Sequence, residues 1–323
     1  MASKPPKIGY FLACEEFTPA QLIEQAKMAE AAGFEALWIS DHFHPWNDEQ
    51  GQSPFVWAVI GALSQVTSLP VTTAVTCPTF RIHPAIIAQA AATAQVMLEG
   101  RFRLGVGSGE ALNEHILGDP WPPVPVRLEM LEEAIQVMRL LWEGGSKSFY
   151  GKYYQVENAR IYTLPDTPPP VYVSGFGRRS VELAGRVGDG FLTTMPDADA
   201  IRRFRDAGGG DKPTQAGMKV CWAPDEDQAV KTVRRLWPNE YLPGELGQIL
   251  PTPRHVEQAS QLVTEDMIRE STACGPDPDR HVRTLKQYVA AGFDEVYVGQ
   301  IGPEQEGFFE FYRDQVLPRV RAA

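Results

Sequence analysis

Eight short apolar runs alternate with helix-patterned segments along this chain, which predicts an α/β fold, a (β/α)8 TIM barrel of parallel strands. Two further observations support that class. Ionisable and aromatic side chains gather just past the ends of these runs, where a barrel of parallel strands opens its working face. The 323 residues, 43% of them hydrophobic, suit one barrel domain over 1–323 rather than two domains.

The first strand is at 7–12. Thr18 and Pro19 read as the N-cap and first residue of a helix, with Leu22, Ala26, Ala29 and Ala32 on one face and Gly33 as its stop. The second strand, 36–40, is followed by a helix over 54–64. The third, 71–75, leads through a helix at 84–98 to the fourth, 102–107. A Pro-rich loop, Asp119-Pro120-Trp121-Pro122-Pro123, precedes a long helix over 127–143, and 148–156 reads as a hairpin decoration. Strands five to eight lie at 170–174, 190–194, 218–222 and 295–299. The segment at about 238–263 is too long for a default strand-to-helix connection and predicts an insertion capping the active face.

Composition removes several function classes. The net charge of -11 argues against nucleic acid or an anionic membrane surface as a partner. No apolar run is long enough to span a bilayer. The opening Met1-Ala2-Ser3-Lys4-Pro5-Pro6-Lys7 runs into the first strand and leaves no room for a signal peptide. Cys14, Cys77, Cys221 and Cys274 are scattered without a CxxC, which fits a reduced, cytoplasmic protein.

Asp41-His42-Phe43-His44-Pro45-Trp46 follows the second strand and is the strongest chemical signal. A neutral imidazole there can take a hydroxyl proton near neutral pH; a structural His in a strand-end turn is the alternative. Asp-His-x-His also offers ligand types for a metal, but strands five to eight end without histidine, so no metal is expected. Glu110, in Ser108-Gly109-Glu110-Ala111, sits in a turn where glycine lets the backbone approach a ligand. It also suits a helix N-terminus, which favours a carboxylate in any case. Gly175-Phe176-Gly177-Arg178-Arg179-Ser180 opens a helix and reads as either a cradle for one phosphate or a tight βα turn. Trp46, Phe43, Trp57, Trp121 and Trp222 fall near predicted active-face loops, and Trp46, in a polar loop, is the least suited to the core.

The runs Glu15-Glu16-Phe17-Thr18-Pro19, Ser40 to Trp46, Cys77-Pro78-Thr79-Phe80-Arg81, Gly107 to Glu114 and Ala184 to Phe191 together carry a resemblance. The chain resembles the luciferase-like flavin and deazaflavin oxidoreductases over nearly its whole length, and within them the coenzyme F420-dependent glucose-6-phosphate dehydrogenase group. The resemblance implies coenzyme F420 lying across the barrel mouth. Asp41 would contact its ring system, and Ala74-Val75 would form a bulged non-proline cis peptide behind it. Thr76, Ser108, Gly109, Asn113, Gly175, Phe176 and Gly177 would touch the ring or the phosphate-bearing tail. The active-site set would be His42, Trp46, Glu110 and Glu15. His42 is the candidate base, Glu15 a rival base, Glu110 the acid toward the ring and Trp46 a positioning group. A homodimer is implied as well.

One departure bears on the substrate. The sugar-phosphate enzymes hold the phosphate with a Lys after strand six and with a Lys and an Arg from the insertion region. Here the first position reads Asp197, three residues after Thr194, and the others fall on Gly247 and Ser271. Asp197 and Thr194 are thus the expected substrate contacts, and a carboxylate there would repel a phosphate dianion. The expectation is an F420-dependent dehydrogenase of an unphosphorylated alcohol or sugar. The alternatives are a sugar-phosphate dehydrogenase, or a reductase or monooxygenase of the same fold using reduced F420 or FMN. A barrel serving only as a binding scaffold would leave Asp41, His42, Trp46 and Glu110 together at strand ends without a reason.

Overall fold

The computed structural model describes residues 6–322. The opening residues 1–5, on which the expectation about a signal peptide rests, lie outside the described residues. In chain order the strands are β1 (Lys7–Leu12), β2 (Leu37–Ile39), β3 (Val71–Thr73), β4 (Phe102–Val106), β5 (Lys147–Tyr150), β6 (Gln155–Ala159), β7 (Val171–Ser174), β8 (Gly190–Thr193), β9 (Thr214–Val220) and β10 (Glu295–Gln300). All but β5 and β6 close into a parallel barrel in sequence order, with Lys7 of β1 opposite Glu295 of β10. The antiparallel pair β5 and β6 is the expected hairpin decoration.

Strand alternation builds two cores. Ile8, Tyr10 and Leu12 of β1 pack toward the surrounding helices, while Phe11 faces the barrel axis with Ala36, Trp38, Tyr172, Leu192 and Tyr297. Trp38 and Tyr297 stack with centroids 4.5 Å apart. Gly9 and Gly190 stand opposite Tyr297 and Tyr172 in register, and a Cβ on either glycine would occupy the partner's ring. Beneath the rings lies a polar lattice. Glu295 Oε2 accepts from Arg103 Nη1 at 2.6 Å, Tyr297 OH at 2.6 Å and Gln215 Nε2 at 2.8 Å. Burial opposes charge on Glu295, yet Arg103 and these donors hold its carboxyl below the usual range.

The structure moves several expected boundaries. β9 begins at Thr214 rather than 218, because inward-facing Gln215 is polar: it accepts from Trp38 Nε1 at 2.8 Å inside the barrel. β3 stops at Thr73, where the Ala74-Val75 peptide bond is cis. The long helix runs Val124–Trp142, with a proline in its first turn. Trp57 and Trp222 leave the active-face group. Trp57 packs on Phe102 at 5.8 Å within the helical layer, and Trp222 on Phe311 at 6.0 Å. After β9 a helix, Glu226–Leu236, comes first; the excursion then runs through Pro238–Tyr241, Leu246–Ile249, Pro253–Ser260 and Glu265–Ser271. It rejoins the barrel only where Cys274 bridges to Cys221, well past 263. Among the described residues no helix is long and apolar enough to cross a membrane.

Candidate active site

The loop after β2 is bound to the turn after β4. Asn113 Oδ1 accepts from the backbone N–H of Phe43 at 2.9 Å and of His44 at 3.1 Å. His44 Nδ1 lies 2.9 Å from the Leu112 carbonyl, a contact that needs Nδ1–H. Asp41, His42 and Glu110 therefore stand on the face formed by the strands' carboxyl ends.

Glu15, just past β1, is buried beside His42. Its Oε2 accepts from Ser40 Oγ at 2.7 Å, and that oxygen in turn accepts from Cys14 N at 2.9 Å. Glu15 Oε1 approaches His42 Nδ1 to 3.4 Å, close enough for ion pairing but without hydrogen-bond alignment, so Nδ1 has no formal partner. The Trp46 ring lies 5.2 Å from the imidazole. Both side chains of the acid–imidazole pair are nearly withdrawn from water, 3% and 11% exposed, so the pair sits in a low-dielectric corner.

Asp41 is held from two sides. Oδ2 accepts from Thr76 Oγ1 at 2.7 Å and Oδ1 from Arg81 Nη2 at 2.8 Å. Arg81 also donates its backbone N–H to Glu114 Oε2 at 3.0 Å. Burial pushes the Glu114 carboxyl up to about 7, with Arg81 opposing the shift. Arg81 works as a bridge beneath the site, a role invisible when it is read only as the end of Cys77 to Arg81.

Glu110 occupies the N-cap position of a single turn, Ala111–Glu114, but its side chain caps nothing. Its carboxyl makes no hydrogen bond among the described residues, and the residue lines a cleft of about 530 Å³ with Val75, Ser108, Gly109 and the run from Ser174 to Ser180. Gly109 has φ +78°, and a Cβ there would meet Cys77 Sγ and Glu114 Cγ, so glycine is required on both counts. Gly175 is also walled in, by Val181 N and Ser180, whereas nothing lies within 4 Å of a Cβ built on Gly177. Of the positions expected to hold the cofactor, Val75, Ser108, Gly109, Gly175, Phe176 and Gly177 line this cleft. Asp41, Thr76 and Asn113 lie buried outside that lining. Asn113 Nδ2 is a buried donor without a partner among the described residues. Open space over Gly177 and a glycine-walled floor fit a planar ligand with an anionic tail.

The expected substrate contacts behave differently. Asp197 caps the helix Ala198–Phe204: Oδ1 accepts from Asp199 N at 2.8 Å and Ala200 N at 3.1 Å. Its carboxylate is engaged by the helix N–H groups. Thr194 is exposed, and its carbonyl accepts from Tyr288 OH at 3.0 Å. Sequence reading missed Glu16, Lys219 and Trp237. Trp237 Nε1 and Gly302 N each donate to Glu16 at 2.7 Å, and burial pushes the Glu16 carboxyl up to about 7.

A buried acid–imidazole pair and a glycine-walled cleft at the mouth of a closed barrel define a small-molecule enzyme. The chain belongs to the luciferase-like monooxygenase family, whose model matches residues 5–295. It is 35% identical, over 98% of each chain, to an F420-dependent glucose-6-phosphate dehydrogenase of Microbacterium testaceum (strain StLB037). It is 36% identical, over 99% of each, to an enzyme of the same name from Segniliparus rotundus. A solved F420-dependent secondary alcohol dehydrogenase, in complex with an F420-acetone adduct, matches with a TM-score of 0.91 at 34% identity, over 98% of this chain and 100% of that one. The coenzyme F420-dependent tetrahydromethanopterin reductase of Methanopyrus kandleri, at 22% identity and a TM-score of 0.78 over 98% and 100% of the two chains, shares the fold.

Proposed function

We propose that this protein is a coenzyme F420-dependent dehydrogenase acting on the CH–OH group of an unphosphorylated alcohol or sugar. The observation that carries the reading is the pairing of Glu15 with His42 on the same face as an unpartnered Glu110 at a glycine-walled cleft. Coenzyme F420 is a deazaflavin that, when bound, exchanges a hydride at one ring carbon. Ser108, Gly109 and the Ala74-Val75 peptide would hold the ring, Asp41, Thr76 and Asn113 would support it, and Gly175, Phe176 and Gly177 would hold the tail. The Glu15 carboxylate, 3.4 Å from His42 Nδ1, favours the ring proton on Nδ1 and leaves Nε2 to take the hydroxyl proton of the substrate. Glu15 is thereby a positioning residue rather than the base. Trp46 packs beside the imidazole and confines the alcohol. Glu110 would hold, at its carboxyl oxygen, the proton that the reduced ring takes up, while the hydroxyl proton goes to His42.

The neutral substrate follows from charge. The residues after β8, Thr194 to Asp197, supply no cation, and a phosphate site needs fixed cations or aligned N–H donors. A homodimer is supported by the outer helices Val56–Leu63 and Pro84–Met97, which leave Phe55 and Ile86 each 57% exposed on one apolar cleft; sedimentation velocity tests it. Four buried free cysteines fit a cytoplasmic setting. Titration of the purified protein with F420 and with FMN tests the cofactor. Saturable binding of F420 at least about tenfold tighter than that of FMN, roughly 1.4 kcal/mol, is expected. Selective FMN binding would replace the reading with a flavin enzyme of the same fold.

A further inference from the structure

We propose that Lys219 and Glu240 form a self-neutralised anion site at the barrel mouth, and that Glu240 sets the preference against phosphorylated substrates. The proposal rests on the dehydrogenase reading above and adds a specificity-determining pair to it.

Lys219 belongs to the inward-facing set of β9. Gln215 of that set bonds Trp38 inside the barrel, and a Cβ on Gly217 would enter the Trp38 ring. Lys219 is the next inward rung, one residue before the strand ends. Its ammonium lies 4.9 Å from the Phe11 ring centre and 4.0 Å from that of Trp237. Trp237 holds Glu16, the chain neighbour of Glu15, which faces His42. The ammonium therefore stands in the same mouth as the imidazole.

This cation is largely desolvated, with its side chain 11% exposed, and two aromatic faces cover it. Its charge partner is Glu240 Oε1, at 2.7 Å. Glu240 comes from the Pro238–Tyr241 turn, at the start of the excursion after β9, and is 37% exposed. Glu16 is not the direct partner of the ammonium: its carboxylate oxygens accept from Trp237 Nε1 and Gly302 N, each at 2.7 Å. With Glu240 in place, a substrate phosphate meets a carboxylate where it needs a cation. A neutral alcohol meets no such penalty. Without the Glu240 charge, a mostly buried ammonium would need a counter-ion, and a phosphate supplies one.

The test compares the wild type, Glu240→Gln, Lys219→Met and the double variant in two ways. Calorimetric titration with inorganic phosphate needs neither coenzyme nor turnover. Steady-state F420 reduction gives kcat/KM for glucose 6-phosphate and for glucose. Thermal melts confirm that each variant is folded. Glu240→Gln is expected to tighten phosphate binding, and to raise the ratio of kcat/KM for glucose 6-phosphate over glucose, by about tenfold or more. The double variant is expected to lose both gains. Phosphate affinity unchanged in Glu240→Gln, or a gain that persists in the double variant, overturns the proposal. If no variant reduces F420 with either sugar, the dehydrogenase reading fails on these substrates while the phosphate titration still decides the ion pair.

Discussion

Nδ1 of His42 faces a buried carboxylate, and that single contact divides the roles of two residues that compete as bases on paper. Glu15 is already committed to Ser40, and it is 2% exposed, so it has little access to a substrate hydroxyl. His42→Ala should lower kcat by about 10²–10⁴-fold while changing the F420 dissociation constant only modestly, as stopped-flow and binding titrations would show. Glu15→Gln should lose less, since it misorients the base without removing it. A larger loss from Glu15→Gln than from His42→Ala would reverse the assignment. The pairing of Asp41-His42 with the Glu110 turn was legible because both follow apolar runs. Arg81, Lys219 and Trp237 were not legible, because each acts through a neighbour from a distant strand or helix. Arg81 meets Asp41 and Glu114, and Lys219 meets Phe11, Trp237 and Glu240, only once the barrel closes.

At the level of elements, Asp197 shows how a local rule can outrank a positional one. Its place after strand six suggested a repelling charge in the mouth, yet its carboxylate caps the next helix. Asp197→Asn keeps an amide oxygen able to cap and removes the charge. Melting should shift little, and the ratio of kcat/KM for glucose to glucose 6-phosphate should stay within about twofold, because Oδ1 is held by the helix N–H groups. A clear gain with the phosphorylated sugar would restore Asp197 as a substrate contact. Elements with strong local signals were legible, such as the Thr18 capping box and the αL Gly33 stop of Pro19–Ala32. β9 starts ahead of its apolar run because its inward residues, Gln215 and Lys219, are polar, and an apolar run marks only outward-buried strands. The excursion after β9 was seen as long, but its helices are short and depend on tertiary contacts.

The whole molecule adds a pH dependence that no single element carries. His281 is fully buried, with Nε2 3.0 Å from the Gly275 carbonyl and Nδ1 3.0 Å from Tyr312 OH. The first contact needs Nε2–H, so Nδ1 accepts from the tyrosine. Burial lowers its pKa from 6.5 to about 4. As pH falls, the unfolded chain takes up this proton before the folded one does. The stability it confers is complete above about pH 6.5 and is lost toward about pH 4, by up to about 3 kcal/mol. Glu16 and Glu114, raised by burial to about 7, act in the opposite sense, since the folded state binds their protons first. Urea unfolding of the wild type and His281→Gln should therefore differ by about 2–3 kcal/mol less at about pH 4.5 than at about pH 7.5. Parallel stability curves would place the titrating group elsewhere.

Barrel closure itself was legible from eight alternating runs, and it is closure that gathers Glu15, His42 and Glu110 at one mouth. On the proposed reading, this mouth oxidises an unphosphorylated alcohol with F420. The most direct test is anaerobic steady-state F420 reduction by the wild type with a simple secondary alcohol, glucose and glucose 6-phosphate side by side. Turnover with an unphosphorylated substrate is expected, at a kcat/KM exceeding that for glucose 6-phosphate by more than about tenfold, or roughly 1.4 kcal/mol of transition-state preference. A preference of that size for glucose 6-phosphate would contradict it and place a cationic phosphate site in the mouth.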